Sequence, residues 1–312
     1  MKKGITKILS ACVFAFVVFL AAGTQSKAAV NMGVKQTGAG SSYVNLAWDA
    51  QLGAGHYHTQ FSQDGKNWID MDNSSSPSES VYNLTQGASY YARVVAYKDS
   101  HYMGTHVMVG VSETAIVSTE PTEVSGLTQT AAGVNSVSMS WNASAGAASY
   151  VIYGYINYNW TQIGTSATNS ATITGVAATT STKFSVAAVK NVTGGTVTGD
   201  QCSGVEMKAI PIKVSRIAMQ YYWDSLKEAK YIWTDVNNAD GYQYEVKSAN
   251  GKKTYFRATS TNSYTYVKPF PRGIFVKARV RAYVTVGNKV YYGAWSPYTS
   301  VSYTHLTLPT IA

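Results

Sequence analysis

Two groups of side chains in this 312-residue sequence have the types and spacing to do chemistry. The first is histidine. In "HYHTQFS" His56 and His58 stand two apart, so on a strand they share one face. His101 and His106 follow in a stretch expected to be the loop before the last strand of the same unit. Gathered imidazoles can ligate a transition metal or titrate near neutral pH. Four histidines also occur by chance on a surface. No metal centre is expected, and these four are the residues that would form one.

The second group is basic. In "VKARVRAYV" Val276, Ala278, Val280 and Ala282 alternate with Lys277, Arg279 and Arg281. Alternation sends the apolar set to the core and the cations to the outer face. A neighbouring strand turns Gln243, Glu245 and Lys247 outward, with Lys252, Lys253 and Arg257 on the adjoining turn and edge. One Glu does not neutralise that stripe. Tyr255, Tyr291 and Tyr292 are expected to flank it. The functional reading is a basic face of Lys247, Arg257, Lys277, Arg279 and Arg281 that binds an anionic cell-wall or host polymer, or an acidic protein. The plain reading is a solvated face that keeps a sheet soluble and discourages edge pairing.

Enzyme signatures are missing. There is no H-E-x-x-H, G-x-S-x-G, P-loop or C-x-x-C. Cys202 has no His anywhere in 121–210 to activate it, so it reads as a small half-buried side chain. "DMDNSS" (Asp70–Ser75) opens like a calcium loop but lacks its sixth-position Gly and closing Glu. Asp64, Asp70, Asp72, Asp99 and Glu113 read as solvated acids on turns and linkers. Catalytic residues and cofactors are expected to be none.

The elements that hold these groups follow a leader. Lys2, Lys3 and Lys7 precede an apolar run, Ile8–Ala22, and Ser26-Lys27-Ala28 fits a small-x-small cleavage site. Residues 1–28 are therefore expected to be a signal peptide, and the mature chain to be secreted or held at the cell surface. Past the leader only Cys202 remains, so no intrachain disulfide is possible. Export argues against nucleic acid as a partner, and no membrane contact is expected beyond the leader. Charge is uneven: residues 211–312 carry 14 basic and 5 acidic groups, which equals the +9 of the whole chain. That excess suggests an anionic partner for the last third.

Three landmarks then repeat. Trp48, Trp141 and Trp233 lie 93 and 92 residues apart, and a Tyr follows each by nine: Tyr57, Tyr150, Tyr242. Val94/Ala96, Val186/Ala188 and Val280/Ala282 keep the same step. Each landmark sits in a short alternating stretch, with turns such as "QDGKN" and "SANGKK" between. Such spacing predicts antiparallel β-sandwiches. At these residues the chain resembles fibronectin type III modules. The first repeat carries the family's Leu84, Gly87, Tyr90, Arg93, Val94 and Ala96, and the second opens with Pro121, Val124, Gly126 and Leu127. The resemblance implies a core Trp in each module and a corner Tyr whose hydroxyl bonds backbone. Tyr90 supplies that corner in the first module, whereas Thr182 and Val276 stand there in the others.

The expected fold is all-β: three tandem immunoglobulin-like (fibronectin type III) antiparallel β-sandwiches, spanning 31–120, 121–210 and 211–300. Pro121 and Pro211 mark the joints, without Gly/Ser-rich spacers, so a semi-rigid rod is expected. Val301–Thr310 matches the translation of a common transposase-based sequencing adapter without mismatch. Residues 301–312 are accordingly expected to be read-through, with the last strand of the third module truncated near Ser300. The expected role is a non-catalytic spacer and binding protein of bacterial surface type. The competing expectation is an accessory region of a larger secreted enzyme, such as a polysaccharide hydrolase.

Overall fold

The computed structural model describes residues 29–99, 105–270 and 275–302. Residues 1–28, expected to be a leader, His101, and residues 303–312 of the stretch expected to be read-through lie outside them. In chain order the first sandwich holds β1 (Lys35–Ala39), β2 (Val44–Ala47), β3 (His56–Ser62), β4 (Ile69–Ser74), β5 (Ser78–Val81), β6 (Ser89–Asp99), β7 (His106–Val111) and β8 (Ala115–Ser118). The second holds β9 (Thr128–Gly133), β10 (Ser136–Ser140), β11 (Ser149–Ile156), β12 (Asn159–Ser166), β13 (Ser170–Thr174), β14 (Thr182–Val192), β15 (Gly195–Thr198) and β16 (Val205–Met207). The third holds β17 (Ile217–Trp223), β18 (Glu228–Trp233), β19 (Gly241–Ser248), β20 (Thr254–Ser260), β21 (Tyr264–Val267), β22 (Phe275–Val286), β23 (Lys289–Tyr292) and β24 (Thr299–Ser302).

Each repeat folds the same way. A three-stranded sheet (β1-β2-β5, β9-β10-β13, β17-β18-β21) faces a second sheet in the order β4-β3-β6-β7, β12-β11-β14-β15 or β20-β19-β22-β23. One further short strand in each, β8, β16 or β24, pairs with the long central strand. All ladders within the sheets are antiparallel. The chain is thus a tandem of three immunoglobulin-like antiparallel sandwiches with the strand order of fibronectin type III modules. No helix among the described residues is long and apolar enough to cross a membrane.

The cause is visible in β22, where Val276, Ala278, Val280, Ala282 and Val284 are buried while the residues between them are not. Period-two alternation gives a strand one apolar face, which must be covered by a second sheet. The Trp of each repeat is buried and meets its Tyr edge-on or tilted, with centroids at 5.4, 5.3 and 5.5 Å. Turns fall where Gly allows them: Gly65 (φ 70°) and Gly251 (φ 77°) adopt the left-handed conformation that an L side chain disfavours. The Gly65 turn is further held by Asp64, whose Oδ1 accepts from the N–H groups of Lys66 and Asn67 at 2.9 and 2.8 Å.

Several placements correct the sequence reading, and the first is His106, which opens β7 and pairs with Asp99 of β6 instead of lying in a loop. Asp70 and Asp72 lie on β4, not on a turn, and Asp70 accepts from Gln60 Nε2 at 2.7 Å. The extended β4 backbone rules out a calcium-type loop at Asp70–Ser75. Cys202 is buried and belongs to the core of the second sandwich, closer packed than half-buried. Its Sγ accepts from the N–H of Val186 at 3.3 Å. Ser112 Oγ does the same for Val94 N–H (2.8 Å), and Ser296 Oγ for Val280 N–H (3.0 Å). Cys202 therefore stands where the other repeats use a serine to cap an interrupted ladder.

Neighbouring sandwiches are bonded to each other. Gln36 N–H donates to Thr193 O at 3.0 Å, and Thr193 N–H to Ile116 O at 2.8 Å. The Lys190 ammonium reaches Gly87 O. At the next joint Lys208 pairs with Asp240 at 2.7 Å and Tyr291 donates to Thr130 O at 3.4 Å.

Candidate functional site

The basic stripe forms on the outer face of the larger sheet of the third sandwich. Register places Gln243 beside Arg281, Glu245 beside Arg279, and Lys247 beside Lys277, while Arg257 flanks Glu245 from β20. The sheet thus brings Lys247, Arg257, Lys277, Arg279 and Arg281 together on one surface.

Glu245 is its centre. It starts from an outward position but is fully covered, because the cations close over it. Arg257 Nη2 and Arg279 Nε each approach a carboxylate oxygen at 2.5 Å, Lys247 Nζ at 3.2 Å, and the Tyr298 hydroxyl donates at 2.9 Å. Burial alone would raise its pKa, but the hydrogen bonds from Arg257, Tyr298, Arg279 and Lys247 prevail and hold it at about 2. Five cations still face a single carboxylate.

Aromatic rings separate the cations. Lys277 lies over Tyr298 (4.8 Å), and Arg279 between Tyr298 (4.7 Å) and Trp295 (4.3 Å). Arg281 lies between Trp295 (4.5 Å) and Tyr292 (3.9 Å). Its guanidinium also donates twice to Gln243 Oε1, at 2.9 and 2.6 Å. Each contact joins a cation to the negative face of a ring. The result is a ladder of alternating charge and ring.

Of the three rings expected to flank the stripe, one joins the ladder and another, Tyr255, lies under the Lys253 ammonium at 5.0 Å at its edge. Tyr292 is in the ladder. Tyr291, one residue earlier, points the other way and reaches Thr130 of the second sandwich. Tyr255 occupies an irregularity in the β19–β20 register and packs against the core. Trp295 and Tyr298 were missed because they precede β24 in a stretch without alternation. The sequence signal was their spacing of three around the capping Ser296.

In the first sandwich, His56 and His58 do share a face, with ring centroids 5.3 Å apart. His56 Nδ1 lies 2.7 Å and His106 Nδ1 3.2 Å from Asp99 Oδ1. Both imidazoles hold the Asp99 carboxyl below the usual range against a burial effect of opposite sign. Asp99 had read as a solvated acid; its role beside two imidazoles comes from register, since it pairs with His106 across β6–β7. Tyr90 OH accepts from Thr85 N–H at 3.1 Å, the corner bond expected of the first module.

No protein-family model matches the sequence, and no curated protein does. Among solved structures the chain is similar to the crystal structure of the chicken CNTN1 FN1-FN3 domains. The identity is 15% and the TM-score 0.35, over 86% of this chain and 97% of that one.

Proposed function

We propose that this chain is an exported spacer and binding protein, and that the basic face of its third sandwich binds an anionic polymer of cell-wall or host origin. The observation that supports this reading is the ladder itself. Lys247, Arg257 and Arg279 share one buried carboxylate, and rings hold Lys277, Arg279 and Arg281. Ordering long side chains such as Lys277, Arg279 and Arg281 normally costs entropy on binding. Here that ordering is already present, so a polymer of repeating negative charge meets preset partners. Bonded joints between sandwiches suit a spacer that holds this face away from its attachment point. The role is presentation and capture rather than catalysis.

The test is retention on teichoic-acid and sulfated-polysaccharide resins. Lys277→Ser/Arg281→Ser leaves Arg279 to pair Glu245, so the fold survives. The native chain should be retained at low salt and released as salt rises, because screening shortens the reach of charge. Unchanged retention of the double variant would sink the proposal.

A further inference from the structure

The smaller sheet of the third sandwich presents a second surface, on the opposite side from the basic ladder. Its central cross-strand row is Tyr221–Lys230–Tyr266, with Ile232–Tyr264 on one side and Trp223–Glu228 on the other. The rings lean on each other: Tyr221 on Trp223 at 4.1 Å, Trp223 on Tyr266 at 6.0 Å and 18°, Tyr264 on Tyr266 at 5.9 Å. Lys230 Nζ lies 5.1–5.8 Å from the centroids of Tyr264, Tyr221 and Tyr266. Trp223, Tyr264 and Tyr266 remain 39%, 40% and 45% exposed.

The other two repeats act as internal controls. The row equivalent to Tyr221–Lys230–Tyr266 is Ala131–Ser138–Thr172 in the second sandwich and Gly38–Asn45–Ser80 in the first. The pair equivalent to Ile232–Tyr264 is Ser140–Ser170 in one and Ala47–Ser78 in the other. The same sheet therefore folds without a ring at any of these positions. The rings are not a requirement of the fold, and a contiguous exposed aromatic surface marks a binding site.

We infer that this face is a stacking platform for a β-linked polysaccharide with uncharged pyranose rings. Three properties point to that occupant. Pyranoses with equatorial substituents expose flat C–H faces, which are attracted to the negative face of an aromatic ring. Phenol hydroxyls, the Lys230 ammonium and the Glu228 carboxylate surround the rings as hydrogen-bonding groups for sugar hydroxyls. The charges of Lys230 and Glu228 cancel within the rows, which suits an uncharged chain; an anionic one is drawn to the opposite sheet. Strand rise of ~3.4 Å per residue and strand spacing of ~4.8 Å make the platform about 14 by 10 Å, room for a short run of sugars.

The experiment is depletion of the full chain, without residues 1–28, onto insoluble chitin and cellulose in about 1 M sodium chloride, where charge acts over only ~3 Å. Tyr264→Ser/Tyr266→Thr introduces the residues that the second sandwich carries at the same register, so it is expected to fold. One of the two polymers should deplete the native chain, a soluble oligosaccharide of the same sugar should compete, and the variant should bind at least about tenfold more weakly. Lys277→Ser/Arg281→Ser should bind as native, which separates this surface from the basic ladder. No depletion by either polymer, or equal depletion by the tyrosine variant, overturns the inference. So does a dimer by light scattering that the tyrosine variant dissolves, since the face would then meet a second copy.

An independent observation concerns the first sandwich. His56, Asp99 and His106 come from three adjacent strands, β3, β6 and β7, and their donor atoms lie within 4.8 Å of one another. Bonds of ~2.0–2.1 Å in a tetrahedral zinc site place donors about 3.3 Å apart; two of the separations here are 2.7 and 3.2 Å. We infer that this triad binds a borderline divalent cation, zinc or nickel, with water completing the shell. Two imidazoles and one carboxylate suit such ions better than calcium or magnesium. Calorimetry of the tag-free chain with zinc chloride and nickel chloride should show one site of micromolar affinity. The cobalt complex should show visible absorption, and Asp99→Asn and His106→Ala should abolish both signals without unfolding. Absence of heat with both metals, or heat that persists in both variants, overturns the assignment.

Discussion

The hydroxyl of Tyr57 accepts a hydrogen bond from the backbone N–H of Gln51, six residues earlier, at 3.0 Å. The bond recurs from Ser144 to Tyr150 at 3.0 Å and from Val236 to Tyr242 at 2.7 Å. Each Tyr also packs against the Trp of its repeat. One residue therefore ties the loop that follows the Trp strand to the core in all three sandwiches. The corner bond of Tyr90, by contrast, occurs in the first alone; Val276 fills that position in the third with a buried apolar side chain.

Removing the hydroxyl leaves the N–H without its partner, at a cost of about 1–2 kcal/mol where the group is buried. Tyr150→Phe and Tyr242→Phe are each expected to lower the stability of their own sandwich by that amount. Tyr90→Phe should cost the first about 1 kcal/mol. Urea denaturation of the three variants measures this, and unchanged midpoints would contradict it.

Cys202 should be replaceable by Ser and not by Ala. Serine fills the equivalent position as Ser112 and Ser296, where its hydroxyl accepts the same backbone N–H. Cys202→Ser should stay within about 1 kcal/mol of native, and Cys202→Ala should lose about 1–2 kcal/mol, from a cavity plus an unpaired N–H. Denaturation midpoints under reducing conditions separate the two outcomes.

Acid should weaken the third sandwich through Glu245. Its folded pKa of about 2 lies below the ordinary 4.5. The stabilisation is therefore complete above about pH 4.5 and is lost as the pH falls toward 2. The loss is on the order of 1–3 kcal/mol. Glu245→Gln should be less stable at neutral pH and should flatten the dependence in that window. A stability–pH curve parallel to that of the native chain would refute the assignment.

Trp295 separates two guanidinium groups. Trp295→Ala removes both contacts, expected to cost about 1–2 kcal/mol, and frees Arg279 and Arg281 to move. Polymer retention should weaken with it although every charge remains. Retention equal to native would show that charge acts without the ladder.

How much could be read beforehand varies by residue. The Trp–Tyr step and the Val-x-Ala alternation are local patterns, because a strand must repeat every two residues to own an apolar face. They determined the all-β class, the sandwich repeats and the outward direction of Lys277, Arg279 and Arg281. The histidine grouping was legible for the same reason along β3. Register and the meeting of distant segments were not local, and only the tertiary structure decided them. It set Asp99 against His56 and His106, drew Trp295 between Arg279 and Arg281 and Tyr298 between Lys277 and Arg279, and buried Glu245 from an outward position. It also gathered Tyr221, Trp223, Tyr264 and Tyr266, which the sequence scatters over 46 residues, onto one sheet face. Alternation states which side of a strand a residue occupies; which strand lies beside it depends on pairing across the whole module.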